Sequence, residues 1–155
     1  MYRTDPGITA WEGIGPQGTP YEGAYTSMAH GWSTGVLPAL SNELLGVSPT
    51  GPGFSTWEVR PHPGGVEWAQ GVVPTPKGPL DADWSHPATG TFTLTIQAPA
   101  GTSGTVAVPT DSVPVTVTLD GRSVRAKDLG TEAGYAVLTG VGSGRHTVTV
   151  RRTHQ

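Results

Sequence analysis

The chain contains no cysteine among its 155 residues. That excludes disulfides, thiolate metal sites and a cysteine nucleophile, and leaves the redox compartment open. Charge is also scarce: nine Lys and Arg against twelve Asp and Glu give a formal net charge of −3. No basic run exceeds Arg151-Arg152, so the positive stripe on which nucleic-acid binding rests is absent. No apolar run approaches the roughly 20 residues of a membrane-spanning helix. Met1–Ala10 lacks the apolar core of a signal peptide, so a soluble chain is expected, with its compartment unknown.

Glycine and proline, by contrast, are abundant, with 23 and 15 residues. Together they come near the share at which disorder is suspected. Yet 35% of the residues are hydrophobic and five are Trp, enough apolar surface for a core. The composition therefore predicts a turn-rich β domain rather than a disordered tail.

The two ends of the chain differ in texture. Residues 1–24 hold Gly7, Gly13, Gly15, Gly18 and Gly23 with Pro6, Pro16 and Pro20, so no regular element is expected there. From Tyr25, the residues Tyr25, Met28, Trp32, Val36, Leu40 and Leu44 recur at spacings of three and four, the period of one helix face. Gly35 and Pro38 interrupt that stripe, which predicts two short helices, 24–35 and 37–45, with Gly46 as the C-terminal stop. Thr50-Gly51-Pro52-Gly53 reads as a linker, dividing the chain into 1–53 and 54–155.

After Phe54 the period becomes two. Trp57 and Val59, Val66 and Trp68, Leu80, Ala82 and Trp84, and Phe92, Leu94 and Ile96 all alternate with polar residues. So do Val106 and Val108, Val115, Val117 and Leu119, and Val148 and Val150. Asp120-Gly121 is a two-residue hairpin signal. Seven or eight such strands in about 100 residues predict an antiparallel β-sandwich preceded by a short helical segment. Trp57, Trp68, Phe92, Leu94, Ile96, Val115 and Val117 are expected inside it.

Most candidate chemistry dissolves on inspection. His30, His62, His86, His146 and His154 are scattered without metal-ligand spacing, and His146 is in phase with Val148 and Val150, as a partly buried sandwich histidine would be. Gly13-Ile14-Gly15-Pro16-Gln17-Gly18 has the glycine spacing of a dinucleotide loop, but it follows no strand and Pro16 interrupts it. No G-x-S-x-G elbow occurs. No metal or cofactor is implied. What remains is Thr9-Ala10-Trp11-Glu12 and Ser27-Met28-Ala29-His30-Gly31-Trp32-Ser33. A carboxylate beside an aromatic ring suits carbohydrate chemistry, the ring packing on sugar C–H groups while the carboxylate handles a proton. Trp32 continues the apolar stripe, so a core position is expected for it ahead of a sugar platform. An isolated Glu12 in a Gly-rich stretch is also what a solvated loop offers.

These residues resemble a known family. Thr9–Glu12, Ala29-His30-Gly31-Trp32-Ser33, Leu44-Leu45-Gly46-Val47, Pro52-Gly53-Phe54 and Trp57–Pro61 look like the end of a bacterial α-L-rhamnosidase. Gly64–Gly71, Val73-Pro74-Thr75-Pro76, Gly78-Pro79, Ala98–Gly101 and Val117–Gly121 resemble the C-terminal β-sandwich of those enzymes. The resemblance implies that 1–53 is the end of an (α/α)6 barrel and 54–155 the C-terminal sandwich. It implies an inverting hydrolysis of terminal α-L-rhamnose, with Glu12 as general base and with Trp11, His30 and Trp32 lining the sugar pocket. The general acid belongs to an earlier barrel segment, so the expectation is that this chain is inactive alone. Two other readings stand beside it: a stand-alone carbohydrate-binding sandwich with an exposed aromatic platform, and a purely structural accessory domain. The Tyr25–Leu44 stripe needs a partner, either by folding back, by self-association, or by pairing with an upstream barrel fragment; self-association is favoured over folding back.

Overall fold

The computed structural model describes residues 10–88, 90–111, 113–125, 128–132 and 134–153. Thr9 and His154, singled out above, lie outside them. The chain divides into two compact units, Met1–Ala39 and Leu40–Gln155.

In the first unit the Gly-rich stretch folds into turns, with a single bridge between Ile14 and Pro20 closed by Gly15 N–H to Thr19 O at 2.8 Å. The two expected helices do not form as such. Gly23–Tyr25 and Gly31–Gly35 are 3₁₀ turns, Val36–Ala39 is one α-helical turn, and Leu40–Leu44, already in the second unit, is a π-helical turn. Gly23 sits at φ 59°, and neither of the two 3₁₀ turns has a side-chain N-cap, so none of these turns propagates. A helix this fragmented presents no continuous face. Tyr25 and Trp32 are 90% and 93% exposed, and Met28, Val36 and Leu40 are exposed too, which overturns the core position expected for Trp32.

Among the described residues, the second unit is a sandwich of eleven strands. They are β1 (Val47–Pro49), β2 (Thr56–Val59), β3 (Trp68–Val73), β4 (Leu80–Ser85), β5 (Phe92–Ala98), β6 (Ser103–Pro109), β7 (Val115–Leu119), β8 (Arg122–Ser123), β9 (Gly130–Glu132), β10 (Tyr135–Val141) and β11 (Gly144–Arg152). One sheet runs β1-β2-β6-β10-β9 and the other β3-β4-β5-β11-β7-β8. Every neighbouring pair is antiparallel except β2 and β6. β1 lies upstream of the expected start at residue 54, because Val47 pairs with Val59 and is itself fully buried. Gly46 does end the preceding turn: it sits at φ 87°, and Arg60 N–H donates to its carbonyl at 2.8 Å. Asp120 and Gly121, both at positive φ, make the two-residue hairpin between β7 and β8.

The two inner faces close on one core. Trp57, Val59, Val106, Val108 and Leu138 from the first sheet meet Leu80, Trp84, Leu94, Ile96 and Val148 from the second. Phe92 and Val117 are buried as expected, and Val115 packs partly against the cluster. Trp68 does not. It is 63% exposed, because β3 turns Ala69, Gly71 and Val73 inward. Leu45 occupies the space beside them: a Cβ on Gly71 would lie 2.9 Å from Leu45 Cδ2.

Replacing the fully buried Trp57 with alanine should therefore cost about 3–5 kcal/mol in a urea melt. Trp68→Ala should stay within about 0.5 kcal/mol of wild type, as surface substitutions do. Equal losses from the two variants would mean that the strand parity is wrong.

Candidate functional site

The site residues read from the sequence all fall in the first unit, and its backbone brings their two segments together. Glu12 N–H donates to Ser27 O, and His30 N–H to Ala10 O, each at 2.8 Å. Residues 10–12 thus lie alongside residues 27–30. Glu12 Oε2 accepts a hydrogen bond from Ser27 N–H at 3.1 Å. That contact holds one carboxylate oxygen while the side chain stays exposed, leaving the other oxygen to meet water. The His30 and Trp32 rings are edge to face with centroids 6.3 Å apart. Trp11 is buried, and its Nε1 has no hydrogen-bond partner among the described residues. The chemistry on offer is a carboxylate that can accept a proton from water, with an imidazole and an exposed indole on the adjoining segment.

Within the sandwich lies a cleft of about 590 Å³ that no sequence pattern predicts. His62, His86, Asp111, Tyr135 and Arg152 line it. Tyr135 Oη donates to Pro61 O at 3.0 Å and lies 2.9 Å from His62 Nδ1. The hydroxyl hydrogen is engaged by the carbonyl, so His62 Nδ1 carries its own hydrogen and donates to the Tyr135 oxygen. Arg60 lies 5.0 Å over the Tyr135 ring and also bridges Glu58 at 3.0 Å and Glu132 at 2.8 Å. The hydrogen bond that Arg60 donates to Glu58 leads in raising the guanidinium above its ordinary pKa. Burial raises the Tyr135 phenol, against the nearby Arg60 charge. Asp111 accepts from Arg152 at 2.8 Å and faces His86 Nε2 at 3.5 Å; the Arg152 hydrogen bond holds its carboxyl below the usual range. These groups are committed to one another across the strand ends, which suits a brace better than a ligand site. His62 and Tyr135 are 73 residues apart, and neither belongs to a periodic or spaced motif that could have announced the pair.

His146 is the partly buried sandwich histidine its phase predicted. Its Nδ1 is 2.9 Å from Asp120 Oδ2, while Nε2 is buried with no partner among the described residues. Burial pushes the Asp120 carboxyl up, but the hydrogen bonds from His146 and from Thr147 N–H outweigh it and leave the group below its ordinary value.

The second unit is a two-sheet, mostly antiparallel β-sandwich, and comparison with known proteins relates it to a family. Residues 46–121 match the family described as the bacterial alpha-L-rhamnosidase C-terminal domain. That match takes in most of the sandwich, from β1 to the turn between β7 and β8. An alpha-L-rhamnosidase of Streptomyces avermitilis is 32% identical over 157 residues, covering 96% of this chain and 14% of the relative. A crystal structure of Streptomyces avermitilis alpha-L-rhamnosidase complexed with L-rhamnose superposes with a TM-score of 0.72 at 29% identity, over 97% of this chain and 14% of that one. The alpha-L-rhamnosidase of Dictyoglumus thermophilum shares the fold, with a TM-score of 0.81 at 23% identity, over 97% of this chain and 17% of that one. The chain therefore spans about one-seventh to one-sixth of the length of these relatives.

The two depressed carboxylates give the sandwich an acid-sensitive contribution to stability. Both folded values lie below the ordinary one of about 3.9, so their contribution is complete above that pH and is lost as pH falls through the folded values. Thermal melts should show a level Tm near neutrality and a fall below about pH 4, shallower in Asp111→Asn. An unchanged acid slope in that variant would remove Asp111 from the account.

Proposed function

We propose that this chain is the C-terminal portion of an inverting α-L-rhamnosidase, with Glu12 as its general base. The observation that carries the reading is the extent of the 32% identity: it runs through 96% of the chain, so it takes in the Glu12 and His30 segments as well as the sandwich. Inversion needs two carboxyl groups about 6.5–9.5 Å apart. One protonates the leaving glycosidic oxygen; the other takes a proton from water as the water oxygen attacks the anomeric carbon from the opposite face. Glu12 fills the second role. Ser27 N–H fixes one of its oxygens, and the exposed remainder of the carboxylate meets the attacking water. Trp11, His30 and Trp32 form part of the pocket wall. The acid comes from a segment outside these 155 residues.

The exposed Tyr25, Val36 and Leu37 fit the same reading. Large side chains left in water forfeit about 1.5–3 kcal/mol each. In the assembled enzyme they pack on upstream barrel helices, and in the chain alone they favour self-association.

On an aryl α-L-rhamnoside the 155-residue chain should give no hydrolysis above background, since one carboxylate is half of the machinery. In the intact parent enzyme Glu12→Gln should lower kcat by about 10²–10⁴ with little change in rhamnose affinity, because the base acts on water rather than on the ground-state sugar. A parent enzyme that keeps its turnover after that substitution would refute the assignment.

A further inference from the structure

We propose that the outer face of the six-stranded sheet binds a neutral oligosaccharide, with Trp68 as its stacking platform. This goes beyond the hydrolytic reading and holds whichever residue acts as base. β3 is the edge strand, and its outward residues Trp68, Gln70 and Val72 begin three rows across the sheet. Trp68 leads to Ser85, Thr93 and Thr149; Gln70 to Asp83, Thr95 and Thr147; Val72 to Asp81, Gln97 and Arg145. Strands lie about 4.8 Å apart and alternate residues about 6.5–7 Å apart, so the rows form a regular grid of polar groups with one indole at its edge.

A single exposed Trp argues little by itself. Its neighbours argue more. Among the described residues, the side chains of Gln70, Asp81, Asp83, Gln97 and Arg145 make no hydrogen bond or ion pair with one another or with anything else, although Asp81 and Arg145 share a row. Elsewhere in the sandwich Arg60, Arg125 and Arg152 are each paired with carboxylates. Two shallow depressions adjoin at Gln70, Gly71 and Val72: one of about 280 Å³ over Asp81, Asp83, Gln97 and Arg145 on the outer face, and one of about 300 Å³ along the β3 edge between Trp68 and residues 40–45.

The chemistry of this strip selects its ligand. A pyranose presents a C–H face that packs on an indole, and hydroxyls that each donate and accept. Asp81 and Asp83 supply acceptors, Arg145 supplies donors, and Gln70 and Gln97 supply both. Two carboxylates against one guanidinium disfavour a polyanion. The apolar area, confined at this end to Trp68 and Val72 beside Leu40, is too small and too hydrated to select a lipid.

The test needs no turnover, so it stands apart from the role of Glu12. The 155-residue chain is applied to an array of neutral oligosaccharides that includes rhamnose-terminated glycans, and the strongest binder is titrated calorimetrically. Binding is expected, with at least a tenfold loss in Trp68→Ala and a clear weakening in Asp83→Ala, both at wild-type melting temperature. An array with no bound glycan overturns the proposal. So does binding that both variants retain, and so does a Trp68→Ala variant that only changes sedimentation, which would make the face a contact between copies.

Discussion

The sandwich depends on one contact, the Trp57 indole laid against the backbone of Gly104. The parallel pairing of β2 and β6 sets these two residues opposite each other. Any Cβ at position 104 would overlap the indole ring, so the ring occupies the volume a side chain would need. Trp57 Nε1 donates to Thr102 Oγ1 at 3.0 Å, and that hydroxyl donates in turn to Pro99 O at 2.7 Å. A fully buried indole thus has its polar atom satisfied by the turn that leads into β6. The chain leaves the first sheet after β2, builds β3 to β5 in the second, and returns at β6. The Trp57–Gly104 contact is where that return is registered. A parallel neighbour requires such a crossover, which is why the lone parallel pair falls here.

Registration at this point decides what is left for the outer faces. With Trp57, Trp84, Leu94 and Ile96 filling the interior, β4 and β5 turn Asp81, Asp83, Thr93 and Thr95 outward. β3 has little inner room, because Leu45 already lies over it and the Leu44 carbonyl accepts from Trp84 Nε1 at 3.2 Å. The edge strand therefore puts its small residues inside and its indole outside. The same packing that stabilises the core exposes the platform.

Much of this was legible in the sequence, and the failures have physical causes. Alternation located β2, β4, β5, β7 and β11, since each is deeply buried on one face only, and it located β6 through Val106 and Val108 although Ala107 between them is buried as well. It missed β10, whose Ala136, Val137 and Leu138 are buried in succession and whose register shifts between Leu138 and Val141, where Gly140 takes φ 70°. It misjudged β3 because size is a guide to the inner face only when the opposing space is empty, and Leu45 comes from outside the strand. The helical period over Tyr25–Leu44 was a true pattern in the residues, yet Gly23, Gly31, Gly35 and Pro38 left no run long enough to nucleate. Of the candidate site, the sequence supplied Glu12 and His30, and the hydrogen bonds between residues 10–12 and 27–30 bring their segments side by side. It offered nothing on the His62–Tyr135 brace, which joins residues far apart in the chain.

The two units differ in how their side chains are held, and that difference bears on where chemistry can reside. In the sandwich, Arg60 and Arg152 are locked to carboxylates at the strand ends and the large side chains lie in one continuous core. In the first unit, Glu12 is held by a single side-chain hydrogen bond, and Trp32 projects almost wholly into water. A catalytic carboxylate has to be fixed to within about 0.5 Å by packing and further hydrogen bonds around it. Under the proposed function that packing comes from the barrel, and the exposed stripe is the surface that receives it. The sandwich then acts as the rigid member, and the segment bearing Glu12 acquires its precision only on assembly.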